Sequence, residues 1–253
     1  MHELKIGILH SLTGTMASSE RPLVNAALLA VEEINAQGGV LKRQLKPCVA
    51  DGASDPEAFA YQARKLLNDD HVATLFGCWT SASRKAIQPE IERAGSLLWY
   101  PVQYEGLEQS QHVIYGGSCP NQQINPSVHW ALARGWRRCL LVGSDYVFPR
   151  TANLLMASLM RANGGEVIGD HYIPLGGEDF TDLMGKIRAL RPDVIFNTLN
   201  GDSNLAFFRQ FHAAGFDASV LPVISFSITE DIQHQIAGEA MGHYACASYF
   251  QTL

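Results

Sequence analysis

The sequence lacks the short motifs that most often announce chemistry. It has no G-x-S-x-G, no H-E-x-x-H, no C-x-x-C, no G-x-G-x-x-G and no G-x-x-x-x-G-K-[ST]. The first absence removes the nucleophile elbow of serine hydrolases. The second and third remove the commonest zinc and redox signatures. The last two remove the glycine-rich phosphate cradles, so nucleotide binding has no usual seat. No cofactor and no metal is expected. Charge is scarce as well, at 17% of residues with a net −6, which argues against a direct nucleic-acid binder with its basic face. No apolar run approaches the roughly 18 residues of a membrane span, so no membrane insertion is expected. The opening "MHELKIGILHS" is too short and mixed for a signal peptide. Five cysteines, Cys48, Cys78, Cys119, Cys139 and Cys246, are dispersed and odd in number, which reads as reduced thiols. These features place the chain as it stands in the cytoplasm, or in the periplasm if Met1 stands where a leader was removed.

What is present is a rhythm of short β-rich runs and helical patterns. "LKIGIL" (4–9), "LKPCVAD" (45–51), "VATLFG" (72–77) and "SLLWY" (96–100) are strand candidates. Between them lie "RPLVNAALLAVEEINAQGG", with Pro22 near its start and Gly38-Gly39 as a stop, and "DPEAFAYQARKLLND", with Asp55 as cap. A third helix runs to about Gly95, and a long loop covers 101–120. The alternation then restarts: a helix over 121–134, "CLLVGSD" (139–145), a helix opened by Pro149 and closed by Gly164-Gly165, "VIGDHYIP", "DFTDLMGKIRAL", "DVIFNTL" (193–199), a helix over 202–214, "LPVISFS", a short helix and "HYACASYF". Such alternation predicts α/β architecture: two lobes, each a mainly parallel sheet with helices on both faces. The expected boundaries are 1–119 for the first lobe, 120–246 for the second, and 247–253 for the start of a return crossing to the first.

Ligands of open α/β sheets sit beyond the carboxyl ends of the strands. The exits worth inspecting are "HSLTG", "DGASD", "GCWTSAS", "YPVQYEG", "GSDYVFP", "LNGDSN" and "SFSITE". They supply flat walls (Trp79, Tyr100, Tyr104, Tyr146, Phe148) and hydrogen-bonding groups (Thr80, Ser81, Ser83, Gln103, Asn200, Asp202, Ser225, Ser227). Each has a plainer reading. Thr80 or Ser81 would serve as a helix cap, Tyr100 as packing, and Asp202 as the cap of the helix it precedes. Cys78 as a nucleophile competes with Cys78 as small-residue packing. Ser81 and Lys85 are one residue too far apart for S-x-x-K chemistry. Only Arg84 and Arg150 bring cationic side chains near these exits, a turn further on, so a small neutral polar ligand fits better than an anion.

The segments "GILHSLTGTMA", "EEINAQGGV", "DGASD", "FGCWTSASRKA", "YPVQYEGLE", "PNQQ", "GSDYVFPRTAN" and "FNTLNGDSN" together closely resemble the urea and short-chain amide branch of the type I periplasmic solute-binding proteins. That branch holds urea-binding components of ABC transporters and the amide-sensing regulator of amidase expression. The resemblance runs from about Lys5 to Phe250. It implies a two-lobed clamshell that binds its ligand in the cleft without catalysis. It also implies a partner, either an ABC permease or a regulatory protein. By motif position Ser81 resembles the hydroxyl that contacts the amide, Tyr100 and Tyr146 the aromatic walls, and Ser227 a second-lobe contact. Gln103 and Asp202 match the urea-type pattern. Trp79, Thr80 and Phe148 complete the expected ligand shell.

Urea offers four donors and one acceptor. Asp202 and Gln103 would accept from its nitrogens, while Ser81, Tyr146 and the first N–H groups after Ser81 would donate to its carbonyl. Acetamide would leave Asp202 under-satisfied, so urea is expected over acetamide. Family members run on well past "YFQ", by very roughly a third of their length. The C-terminal part of the family fold is therefore expected to be missing, with apolar faces of both sheets open and a tendency to oligomers. The competing readings are a leaderless cytoplasmic sensor and an amidase using Cys78 or Ser81.

Overall fold

The computed structural model describes residues 3–228, 230–236 and 238–250. The chain divides into two compact units, Met1–Gly117 and Ser118–Leu253. In unit 1 the elements are β1 (Leu4–His10), α1 (Ala17–Ala36), β2 (Leu45–Asp51), α2 (Pro56–Asn68), β3 (Leu75–Gly77), α3 (Ser81–Arg93), β4 (Leu98–Tyr100) and β5 (Val113–Tyr115). Unit 2 contains α4 (Pro120–Ala133), β6 (Arg138–Ser144), α5 (Val147–Ala162), β7 (Glu166–Ile173), α6 (Thr181–Leu190), β8 (Val194–Thr198), α7 (Asp202–Ala213), β9 (Val223–Ser225), α8 (Glu230–Gln235) and β10 (Tyr244–Ala245). The expected return crossing at 247–253 extends into residues 251–253, which lie outside the described residues.

Both sheets are five-stranded, in the orders β2-β1-β3-β4-β5 and β10-β9-β8-β6-β7, and their strand pairs are parallel. Counted from its own first strand, each sheet has the order 2-1-3-4-5. The same doubly wound topology is thus built twice, with the order reversing beside β1/β3 and beside β6/β8. Ligand crevices of such sheets open outside the carboxyl ends at that reversal.

Strand side chains alternate between two cores. In unit 2, Leu140, Val142, Ile195 and Val223 pack on α6, α7 and α8, while Cys139, Leu141, Val194, Phe196 and Ile224 pack on α4 and α5. Phe207, Phe208 and Phe211 of α7 are buried together, and each contributes about 1.5–3 kcal/mol. In unit 1 the face toward α2 and α3 is a full core built on Leu9, Leu75, Leu98 and Val113. On the opposite face α1 packs around Ile6, Val31 and Leu45. Farther along that face Phe76 stacks on Trp99, and Trp99 and Ile114 stay 41% and 40% exposed. Unit 1 therefore leaves part of an apolar sheet face open.

Local signals explain most boundaries. Asp55 caps α2, its Oδ1 accepting from Ala58 N at 2.8 Å, with Pro56 at the first helical position. Two expectations need correction. Helix α1 begins at Ala17 rather than at Pro22, which lies inside it. The buried Glu20 explains the early start: its carboxylate meets His10 Nδ1 at 3.0 Å and accepts from Ser11 N at 2.9 Å, tying the first turn to the end of β1. Strand β5 lies within the stretch expected to be loop. It has three residues, too few for periodicity to register, and pairs with β4 from Leu98↔Val113 to Tyr100↔Tyr115.

One half-buried group in unit 2 makes stability depend on pH. His243 Nδ1 accepts from Val223 N at 3.1 Å, and the ring packs against Phe208 and Phe211. Burial pushes its pKa down to about 4, against a smaller upward pull from Asp217. The unfolded chain protonates this imidazole near about 6.5, so acid favours unfolding. The stability carried by neutral His243 is complete above that value and is lost as pH falls toward about 4. Thermal unfolding followed over this window should show a falling Tm, with a shallower slope in His243→Leu.

Candidate functional site

The exit of β3 is shaped by glycine and by a reversed backbone. A side chain on Gly77 would press a Cβ to 2.1 Å from Leu9 O, so only glycine lets β1 and β3 meet there. Cys78 follows with φ 65, the left-handed region, which turns the chain out of the sheet. Burial pushes the Cys78 thiol well above the ordinary range, with the Glu20 charge adding to it. A buried thiol held protonated is the opposite of an activated nucleophile.

Thr80 is the N-cap of α3. Its Oγ1 accepts from Ser83 N at 3.0 Å, and Ser83 Oγ donates back to Thr80 O at 2.8 Å. Ser81 opens the helix and Arg84 follows one turn later on the same side. Ser81 Oγ donates to Glu105 Oε2 at 2.6 Å and accepts from Arg84 Nη1 at 3.1 Å. Arg84 also donates to Glu105 Oε1 at 3.2 Å and, by a short bond, to Glu108. Its guanidinium lies 4.6 Å from the Tyr100 ring centre, with Tyr104 and Tyr115 beyond. Arg84 is fully buried, at 0% exposure. Burial works against its charge, but Tyr100, Glu108 and Glu105 more than restore it, leaving a stronger base than free arginine. Burial likewise works against ionised Glu108, and its Arg84 and Lys85 partners overcome that, holding the carboxyl below its usual range.

Tyr100 ends β4. Its hydroxyl donates to Trp79 O at 2.5 Å and lies 3.1 Å from Gln103 O. Trp79, Thr80, Ser81, Tyr100 and Gln103 are thus brought together at one end of the unit 1 sheet. Two expectations change there. The Ser81 hydrogen is held by Glu105, so Ser81 does not donate to a carbonyl in this arrangement. The Tyr100 ring is part of the core under α3 and its hydroxyl ties down backbone, so it is not an exposed wall.

In unit 2 the exits of β6 and β8 are joined directly. Asn200 N donates to Ser144 Oγ at 3.0 Å, and Asn200 Nδ2 donates to Tyr146 OH at 2.9 Å. Beneath them, Asn197 Nδ2 donates to Asn204 Oδ1 and Ser225 Oγ, Asn197 Oδ1 accepts from Leu199 N, and Asn204 Nδ2 donates to Leu199 O. These buried amides hold the β8 exit rigid. The N-cap of α7 is Gly201, with φ 60, and Asp202 is the first helical residue. Asp202 therefore does not cap α7; its carboxylate sits in the first turn, where the helix dipole favours negative charge. Phe148 is buried in the core between α5 and the sheet, a correction to its expected place on a wall. Ser227 follows β9 and is buried. Arg150 donates to Asp145 Oδ1 at 2.8 Å and covers the Tyr172 ring.

Arg84, Glu105 and Glu108 were undervalued by sequence reasoning. The i,i+3 spacing of Ser81 and Arg84 was a usable signal; the pairing with two glutamates from an irregular crossover was not. No group of three or more His, Cys, Asp or Glu side chains placed to hold a metal occurs among the described residues.

Comparison with known proteins adds the wider frame. Residues 4–253 match the family model of the periplasmic binding protein domain. Leu/Ile/Val-binding protein BraC3 of Rhizobium johnstonii is 25% identical over 237 residues, 90% of this chain and 63% of that protein. Leu/Ile/Val-binding protein homolog 7 of Brucella abortus is 31% identical over 231 residues, covering 87% of this chain and 58% of that one. The chain thus spans about three fifths of the length of these curated relatives. Among solved structures, the leucine binding protein LivK of Thermotoga maritima has a TM-score of 0.85 at 19% identity, covering 97% of this chain and 70% of its own. A solute binding protein of an ABC transporter from Rhodopseudomonas palustris, in complex with 3,4-dihydroxy benzoic acid, has a TM-score of 0.79 at 22% identity, covering 91% and 63%. At such identities these structures speak for the fold.

Removing the guanidinium would leave buried Glu105 and half-buried Glu108 with only the partly exposed Lys85 as a cationic partner. Arg84→Met should cost about 3–5 kcal/mol, read as a lowered midpoint in guanidinium unfolding. Iodoacetamide should leave Cys78 unmodified in the native protein and label it after unfolding.

Proposed function

The chain belongs to the periplasmic binding protein family and has its two-lobed type I fold; from that premise we propose that it is a non-catalytic receptor for urea or a short-chain aliphatic amide. In this reading the receptor serves an ABC uptake system. The observation that carries it is the state of the arginines. Arg84 and Arg150 are paired with carboxylates, Arg84 with Glu105 and Glu108 and Arg150 with Asp145, while Arg21 at the β1 exit donates to Leu12 O. The pairing of Arg84 and Arg150 disfavours an anionic ligand at the β3 and β6 exits. Hydroxyls, amides and Asp202 lie at the β3, β4, β8 and β9 exits, a set matched to a small neutral ligand rich in N–H groups.

Size sets the demand on such a site. Micromolar affinity needs about 8 kcal/mol. Urea has four heavy atoms, and small ligands reach at most about 1.5 kcal/mol per atom. Each donor and acceptor of urea must therefore be paired and shielded from water. Asp202 accepts from both nitrogens in this reading, with Gln103 accepting another hydrogen, and Tyr146, Thr80, Trp79 and Ser227 enclosing the rest.

A second reading is an amino acid ligand, favoured by relatives whose names declare leucine, isoleucine and valine binding. A third is a sensor domain that regulates gene expression or a fused signalling module. Titration calorimetry with urea, acetamide, leucine and 3,4-dihydroxybenzoate separates the ligand classes. Urea should bind most tightly, and Asp202→Ala should weaken it at least tenfold. Binding of leucine alone would replace the amide reading with the amino acid one. Neighbouring genes separate transport, which travels with a permease and an ATPase, from regulation.

A further inference from the structure

Helix α5 and the edge strand β7 flank a groove of about 450 Å³ on unit 2, the size of a small-molecule site. Arg150, Asn153, Leu154, Ala157 and Arg161 line it from α5, their spacing placing them on one side of the helix. None of them belongs to the ligand shell considered above. The facing wall depends on a β-bulge. Cys139 pairs with Val167 but Leu140 with Gly169, so Ile168 is an extra residue. Leu141 then stands beside Asp170, and Gly143 beside Tyr172. Leu141 points to the α4 and α5 side, and Asp170 and Tyr172 therefore do so too. An unbroken register would turn Gly169 and His171 toward α5 instead. Bulges at sheet edges re-aim side chains in this way.

Asn153 is buried in this groove, at 1% exposure, with its amide half-satisfied. One end of the amide meets Thr198 Oγ1 at 3.1 Å, and the other, Nδ2, has no hydrogen bond. The Tyr172 hydroxyl is near enough to feel the amide, which draws down a pKa that burial raises, yet no hydrogen bond closes between them. Thr198 Oγ1 both donates and accepts, so it accommodates the amide either way round. In both orientations the far end stays unpaired. A buried polar group left so costs about 1–3 kcal/mol.

We propose that this groove is a further binding site, independent of the receptor reading, and that it takes a neutral polyhydroxyl ligand, a mono- or disaccharide. Charge is balanced there. Arg150 and Arg161 stand against Asp170 in the lining and Asp145, which holds Arg150, so no net charge is asked of the ligand. Arg150 also lies flat on Tyr172, 3.7 Å from the ring centre, which fixes both side chains at the Asn153 end. A hydroxyl both donates and accepts. It therefore pairs with Asn153 in either orientation, and its neighbours on a sugar donate to Asp170 or accept from an arginine. Arg161 lies about 12 Å further along α5, with Leu141, Ala157 and Val167 supplying apolar surface between. A single carboxamide or alcohol serves only one end of such a groove. A sugar carries hydroxyls along its whole rim and C–H faces to lie on the apolar floor.

Titration of 15N-labelled protein with glucose and with maltose tests the proposal, read by NMR at the Asn153 side-chain NH2 and the backbone amides of 150–161 and 167–172. Asn153→Asp identifies the NH2 signal by its loss while keeping an acceptor for Thr198. At least one sugar should shift these signals saturably. Tyr172→Phe keeps the ring under Arg150 and should weaken binding about three- to tenfold, the worth of one hydrogen bond. Leu154→Trp, at a position 66% exposed, should fill the groove from its rim and abolish binding without touching the buried amide. Urea and acetate are the comparison ligands. Saturable shifts at Asn153 from either of these and from neither sugar would overturn the polyhydroxyl assignment. No saturable shift there with any of the four would overturn the site and leave water as the partner of Asn153. Sugar binding undiminished in Leu154→Trp would overturn it as well.

Discussion

A guanidinium taken out of water must be given its charge partners back, and unit 1 is organised around that requirement. Arg84 sits at zero exposure between two glutamates. Both come from the stretch that follows β4, so the pairing pins an irregular segment onto the first turn of α3. The same arginine presses on Tyr100 and bonds Ser81. The cap, the aromatic under it and the segment bearing Gln103 are thereby parts of one cluster. A buried ion pair of this kind adds little net stability over well-packed apolar groups, but half of one is severely destabilising. Its value lies in geometry, since it fixes where hydroxyl hydrogens point.

Unit 2 solves the corresponding problem without a charge. Its β8 exit is held by asparagines, with Asn197, Asn200 and Asn204 closing bonds among Ser144, Tyr146, Leu199 and Ser225. The topology is the same in both units, and in both the residues of interest fall where the strand order reverses. Electrostatics differs: unit 1 carries a balanced ionic cluster, unit 2 a neutral amide network with Asp202 on the first turn of α7.

Much of the fold was legible because its signals are local. Strand runs such as "LKIGIL" and "DVIFNTL", the Asp55-Pro56 start and the Gly164-Gly165 stop each act over a few residues. The two-lobed α/β organisation followed from their alternation. What escaped depended on distant partners. The early start of α1 is set by Glu20 reaching His10, and three-residue β5 exists because β4 lies beside it. At the site the exits were legible as places, and Thr80 as a cap. Directions were not: nothing local to "GCWTSASRK" says that the Ser81 hydrogen belongs to Glu105, 24 positions away, or that Phe148 turns into the core.

The connection from β4 to β5 runs through residues 101–112 without a helix, unlike the crossovers on α1, α2 and α3. With no internal ladder of backbone bonds, it is held by Arg84, Lys85 and the tyrosines beneath it, and at its far end by Ser110 on Glu92 and His112 on Ser96. Such segments are the ones that open first in native-state fluctuations. Releasing Glu105 and Glu108 would free this stretch and β5 as one cooperative piece while the other four strands stay paired. A ligand that leans on Ser81 would then be linked to that opening equilibrium: its binding energy would be divided between contacts made and fluctuation suppressed, and occupancy would be written into the protection of amides far from the ligand itself.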